Sequence, residues 1–317
     1  MFEYRAASAA DAPAIRDLIV RSERHDGVPR VLELDELIEE MADESVDLAE
    51  RSLVALVDGA IVGYMLVHHK RADVVEQRCH LDGAVDPELR GRGIGSALVE
   101  FGNERARLAL TAIDDDLPKF IRLSGYDYVE SVHRLAARMG FTPVRYFDEL
   151  LRPLTDIPER LTIDGVSVLP WPTDRDDEIR ASKNTAFLDH WGSVPTPAAA
   201  WHDQLHGYSG RPDLSFIAVD ARTDEVVAML ATSRYEADDE LLGRRDGWIQ
   251  TLGTLREWRG RGVGSALIVE ALHAYDAAGL THASLGVDSE NPSGAARLYR
   301  NLGFEPRQRM ITHQIQL

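Results

Sequence analysis

Arg90-Gly91-Arg92-Gly93-Ile94-Gly95-Ser96-Ala97-Leu98 returns later in the chain as Arg259-Gly260-Arg261-Gly262-Val263-Gly264-Ser265-Ala266-Leu267, with only Ile94 changed, to Val263. Each copy has a second echo downstream: Met139-Gly140-Phe141-Thr142-Pro143 in the first case, Leu302-Gly303-Phe304-Glu305-Pro306 in the second. Two landmarks recurring in one order predict two copies of a domain rather than a solenoid of short units. A chain of 317 residues suits about two such domains, each able to bury its own core.

Hydrophobic patterning outward from the loops predicts the same run of elements twice. The first half reads as a short strand over 2–6, helices over 11–24 and 34–44, a hairpin of 52–57 and 61–68, and a strand over 77–85 that enters the glycine loop. Asp11 and Pro13 suit the start of the first helix, and Asp58-Gly59 suits the hairpin turn. A helix follows the loop, then a strand at 119–125, a helix at 128–139 and a closing strand at 143–152. Pro153 to Thr162 reads as a linker. The second half repeats with a strand at 166–169, helices at 174–187 and 197–206, a hairpin of 214–219 and 226–232, and a strand at 248–255 into the loop. A helix, a strand at 283–287, a helix at 293–301 and a last strand at 308–315 complete it. Hairpins mixed with crossovers predict an α/β fold of the α+β, mixed-sheet kind: each domain a mixed, mostly antiparallel sheet flanked by helices. The expected boundaries are 1–153, a linker at 154–162, and 163–317.

The loop is a physical device. The first amides of a helix lack internal partners and carry the positive end of the helix dipole. Glycines at the junction let the backbone turn and approach a phosphate closely. Backbone amides of Gly260, Gly262, Val263, Gly264 and Ser265, and of Gly91, Gly93, Ile94, Gly95 and Ser96, are therefore candidate pyrophosphate ligands. Arg90, Arg92, Arg259 and Arg261 would add charge-assisted bonds. The spacing fits neither a P-loop nor the dinucleotide fingerprint. A structural glycine turn is the alternative reading, favoured less for the second copy than for the first.

Composition narrows the function classes. A net charge of −18 argues against a nucleic-acid or anionic-membrane partner, and it makes the basic loops stand out as pockets for a small polyanion. No stretch approaches the roughly 20 apolar residues of a membrane span, and no secretory signal pattern is read at the start. Cys79, the single cysteine, allows no internal disulfide and reads as a buried apolar residue. A cytoplasmic protein, monomer or homodimer, is expected.

Arg90-Gly91-Arg92-Gly93-Ile94-Gly95 and Arg259-Gly260-Arg261-Gly262-Val263-Gly264, with Asn291, Leu298, Tyr299, Leu302, Gly303 and Phe304, resemble the signatures of the GNAT superfamily of N-acetyltransferases. The resemblance spans nearly the whole chain as a tandem pair. It implies acetyl-CoA as cofactor, direct attack by a primary amine of a small molecule, and no metal. The tandem layout, the stretch Leu154–Glu159 and Leu285-Gly286-Val287-Asp288 are similar to members that acetylate the cysteinyl amine of a glucosaminyl-inositol conjugate. The first half lacks the later motif: Ala136 stands opposite Tyr299, and Tyr128 opposite Asn291. Catalysis is therefore expected in the second half, and a degenerate role in the first.

The resemblance assigns Tyr299 as general acid for the coenzyme sulfur, Leu252, Thr254 and Leu255 (with Val85 as first-half counterpart) to the pantetheine arm, and Asn291 to that arm or to a helix cap. The glutamate that the family often places before the loop falls at Trp248. Asp246 is the assigned base, with Glu236 and His190 as alternatives. Asn184, Phe187, His190, Trp191, Tyr235, Trp248 and Gln250 are the candidate acceptor-binding residues. Trp191 and Trp201 read either as a core plug or as an aromatic wall. A non-catalytic acyl-CoA sensor is the rival from another class.

Overall fold

The computed structural model describes residues 2–43, 46–70, 75–191, 193–290 and 295–317. In chain order the first half holds β1 (Glu3–Arg5), α1 (Ala12–Asp26), α2 (Leu34–Ala42), α3 (Leu48–Arg51), β2 (Ser52–Val57), β3 (Ala60–Lys70), β4 (Gln77–Val85), α4 (Ile94–Thr111), β5 (Lys119–Tyr126), α5 (Glu130–Arg138) and β6 (Thr142–Pro153). The second holds β7 (Val166–Pro170), α6 (Asp176–Ala186), α7 (Ala198–His206), β8 (Phe216–Asp220), β9 (Val226–Ser233), α8 (Asp238–Leu242), β10 (Asp246–Thr254), α9 (Val263–Ala277), β11 (His282–Asp288), α10 (Ala295–Asn301) and β12 (Glu305–Gln316). The mixed α/β architecture is the expected one. The short helices α3 and α8 were not anticipated; each is a turn too brief to show a helical period.

Local chemistry explains the ends of elements. Asp58 and Gly59 both take positive φ (50° and 81°), the primed turn that matches the twist of β2 and β3. Gly27, at φ 72°, closes α1 in the left-handed conformation.

Two compact units result, and they divide the chain differently from the sequence repeat. One comprises Met1–Tyr146 with Arg309–Leu317; the other is Phe147–Gln308. The first unit has strand order β1-β2-β3-β4-β5-β12, and the second β6-β11-β10-β9-β8-β7. Within the first, Met310–Gln316 of β12 pairs antiparallel with Phe120–Tyr126 of β5. Within the second, Phe147–Pro153 of β6 pairs antiparallel with His282–Asp288 of β11. Each half of the sequence thus gives its last strand to the other unit.

Both units sandwich their sheet between helices. In the second, α9 buries Val263, Leu267, Ala271 and Tyr275 on one face of the sheet, and Ile179 and Trp201 of α6 and α7 cover the other. In the first, Ile94, Leu98 and Leu110 of α4 lie on one face, and Ile15, Leu18 and Leu37 of α1 and α2 on the other. Cys79 is fully buried, and burial pushes its thiol up to about 12, so it behaves as a small apolar residue.

One irregularity prepares a site. β10 and β11 run parallel, but their pairing stops at Ile249↔Leu285, although the strands continue to Thr254 and Asp288. On its other side β10 shifts register against β9 between Ile249 and Thr251, a bulge at Gln250. β4 and β5 in the first unit likewise stop pairing at His80↔Arg122.

Candidate active site

The opened stretch of β10 and β11 borders a cavity of about 290 Å³ in the second unit. Gln250, Thr251 and Leu252 line it from β10, and Leu285, Gly286, Val287 and Asp288 from β11. Phe147 of β6, Tyr299 of α10, and Phe187, His190, Trp191 and Ser193 after α6 complete the wall. Tyr299, Phe187, His190, Trp191, Gln250 and Leu252 thereby line one cavity.

Tyr299 is 7% exposed, edge-on to Phe304 at 6.0 Å between centroids. Burial raises its phenol to about 12, so the proton stays on the oxygen at neutral pH. His190 packs on Phe187 at 4.4 Å. Burial lowers its imidazole below the ordinary value, partly countered by Asp189 and Asp288, so at neutral pH the ring is an uncharged proton acceptor. A phenol that holds its proton and an imidazole that lacks one share the cavity. This is the pairing that acid–base chemistry needs.

The glycine loop lies at the N-terminus of α9. Gly260 and Gly262 take φ of 75° and 87°, left-handed values that a side chain would strain. Ala266 N–H bonds back to Gly262 O at 3.0 Å, so the amides of Val263, Gly264 and Ser265 precede the helix's own hydrogen bonding. The first unit repeats the device: Gly91 and Gly93 at 77° and 90°, and Ala97 N–H on Gly93 O at 3.1 Å. Gly264 and Gly95 pack close to Leu298 and Leu135.

The arginines differ from the expectation. Arg259 donates from Nε to Thr254 O (3.0 Å) and from its terminal nitrogens to Ala186 O (2.6 Å) and Asp189 (2.5 Å). Arg90 repeats the arrangement with Val85 O (3.3 Å), Ser22 Oγ (2.7 Å) and Asp26 (2.6 Å). Both guanidinium groups are engaged by the protein and brace the loop against the strand end and a helix on the other face. Arg261 lies over the Trp258 ring at 4.7 Å. Leu255 N–H bonds to Val227 O at 2.9 Å, which holds the end of β10 to the hairpin.

Several assigned residues stand elsewhere. Asp246 does not line the cavity: Arg244 Nε holds both of its oxygens, at 2.8 and 2.9 Å. Trp248 lies against Gly286 outside the lining, with its ring within 3.7 Å of where a side chain there would begin. Asn184 closes a loop, accepting from Thr196 N–H at 2.8 Å and donating to Thr196 O at 3.3 Å. Tyr235 and Glu236 lie in the turn before α8, outside the lining. Asn291 falls outside the described residues. The two tryptophans part company: Trp201 is 2% exposed in the core and donates to Asp176 O at 3.1 Å, whereas Trp191 walls the cavity 6.3 Å from Phe147. Phe147, Ser193, Thr251 and Asp288 were not assigned to the site from sequence. Asp288 ends a motif already singled out, while Phe147 arrives only through the strand exchange.

The family model described as "Acetyltransferase (GNAT) family" matches residues 13–141 and again 177–304. A mycothiol acetyltransferase of Frankia alni is 30% identical over 96% of this chain and 92% of its own, and one of Mycolicibacterium vanbaalenii is 28% identical over 92% and 89%. Among solved structures, a GCN5-related N-acetyltransferase from Sphaerobacter thermophilus superposes with a TM-score of 0.77 at 26% identity, covering 99% of this chain and 95% of that one. A tandem GNAT protein from the clavulanic acid biosynthesis pathway gives 0.72 at 17%, a likeness of fold, covering 100% and 98%.

Proposed function

This chain belongs to the GNAT acetyltransferase family, and on that footing we propose that its second unit transfers acetyl from acetyl-CoA directly to a primary amine of a small molecule, while the first unit has a degenerate, non-catalytic role. The observation that carries this reading is the meeting of Tyr299 and His190 in one cavity, at strands whose ladder has opened beside a glycine-capped helix N-terminus.

The amides of residues 260–265 would hold the diphosphate of the donor. The backbone of Leu252–Thr254, released from β11, would pair with the pantetheine arm as an added strand, and an amide there would stabilise the oxyanion. His190 takes the proton of the acceptor amine as its nitrogen attacks the thioester carbonyl. The tetrahedral intermediate then expels the coenzyme thiolate, and Tyr299 gives that sulfur its proton. His190 replaces Asp246 as the base because Arg244 turns Asp246 to a structural task. A cysteinyl-glucosaminyl-inositol amine is the acceptor favoured second, on the names of the relatives and on the aromatic pair Phe147 and Trp191, which suits a sugar ring.

Thiol release from acetyl-CoA across a panel of amines, that conjugate included, tests the reading. Release with an amine, abolished by Gly262→Glu, is expected. No release with any amine, despite tight CoA binding, would leave a sensor instead.

A further inference from the structure

Outside the acyl-transfer site, the first unit gathers a different set of groups. Glu40 of α2, His68 of β3 and Asp82 of β4 bring one ligand atom each to within 4.8 Å of one another. We propose that these three side chains bind one divalent transition-metal ion, with zinc as the occupant. This inference does not depend on the acetyl-transfer reading.

Geometry is the first argument. His68 Nε2 lies 3.1 Å from Glu40 Oε1 and 3.4 Å from Asp82 Oδ2. Charge-assisted N–H···O contacts settle at about 2.7–2.9 Å. Nitrogen and oxygen ligands about 2.0–2.2 Å from a zinc ion, at tetrahedral to octahedral angles, stand about 2.8–3.6 Å apart. Both separations exceed the first range and fall inside the second. The donors also sit on a fixed frame. Antiparallel pairing sets His68 opposite His80 and Leu66 opposite Asp82, so His68 and Asp82 are diagonal neighbours on one sheet face, and α2 brings Glu40 over that face.

Charge is the second argument. His68 is only 8% exposed, and two carboxylates converge on it. His80 Nε2, 3.7 Å from Asp82 Oδ1, is placed as an outer partner of that carboxylate. One imidazole with two carboxylates suits a borderline divalent ion, with further positions left for water.

The second unit supplies an internal contrast. In the register of the two glycine loops, Thr251 stands where Asp82 stands. There the second helix of the unit sends Gln204 Nε2 to Thr251 Oγ1 at 3.0 Å, a neutral hydrogen bond. Thr251 borders the cavity of its unit. The first unit has acidic and imidazole groups at the place where the other has a neutral cavity wall.

The test uses the full chain after chelator treatment, titrated with zinc chloride against a chromogenic chelator. One zinc per chain at micromolar affinity or tighter is expected, with a raised Tm and, on cobalt substitution, visible ligand-field bands. Glu40→Gln and Asp82→Asn keep the shapes of the side chains. Each should weaken zinc binding by at least about tenfold while the metal-free Tm and the acetyl transfer of the second unit stay as they are. Failure to compete with the chelator would overturn the site and leave His68 as a polar neighbour of the two carboxylates. Unchanged affinity in both variants would overturn it too, by moving the zinc to other histidines.

Discussion

At the scale of single residues, the proposed mechanism divides its acid–base work by environment. Burial leaves Tyr299 with its proton and His190 without one. Tyr299→Phe should lower kcat about 10²–10⁴-fold while calorimetric CoA affinity persists; unchanged turnover would remove the phenol from the mechanism. For His190 the sign follows from its lowered pKa. The basic form falls away only below the ordinary 6.5, so kcat/KM should be level at neutral pH and drop on the acid side. His190→Gln should lower the plateau and erase that acid limb. Asp246→Asn should leave the pH profile alone, because the carboxylate is spoken for by Arg244. Tyr299 was legible because it belongs to a contiguous motif. The site of Asp246 was misjudged because a neighbour two residues away captures it, a competition that spacing does not reveal. Phe147, His190 and Asp288 come from segments far apart in the chain, and only folding makes them neighbours.

At the scale of elements, the strand–loop–helix unit was legible nearly to the residue, since β4 spans 77–85 as read and glycines mark each helix start. The arginines were not. They read as anion contacts, yet Arg90 and Arg259 each span from strand end to opposite helix. Arg259→Lys would lose the fork that reaches both Ala186 O and Asp189. It should cost about 1–3 kcal/mol of stability, read as a lower Tm, and weaken CoA binding only through a loosened loop. Gly262→Ala adds strain of roughly 1–2 kcal/mol at φ 87° and should do less harm to binding than Gly262→Glu, which also sets a charge against the diphosphate. Equal losses in the two variants would argue that backbone shape alone holds the ligand.

At the scale of the whole molecule, sequence repeat and folded unit are different objects. The repeat places a boundary near Pro153, whereas the compact body of the second unit runs from Phe147 to Gln308. No periodicity tells a final strand which sheet to join, because either ladder satisfies its amides equally. Deleting Arg309–Leu317 should therefore damage the first unit, not the second. It strips β5 of its antiparallel neighbour, with Ser124–Thr312 (2.9 Å) and Arg122–Gln314 (3.0 Å), and leaves it only β4. Limited proteolysis should then cut the first unit first, while CoA binding to the second persists. The exchange also sets a timetable for biogenesis. At about 5–20 residues per second, the ribosome finishes everything the second unit requires before the first has received its edge. The first unit, begun before the second, is completed after it, with one side of β5 unpaired for on the order of ten seconds, so a stop codon just before Arg309 would harm the unit that was made first.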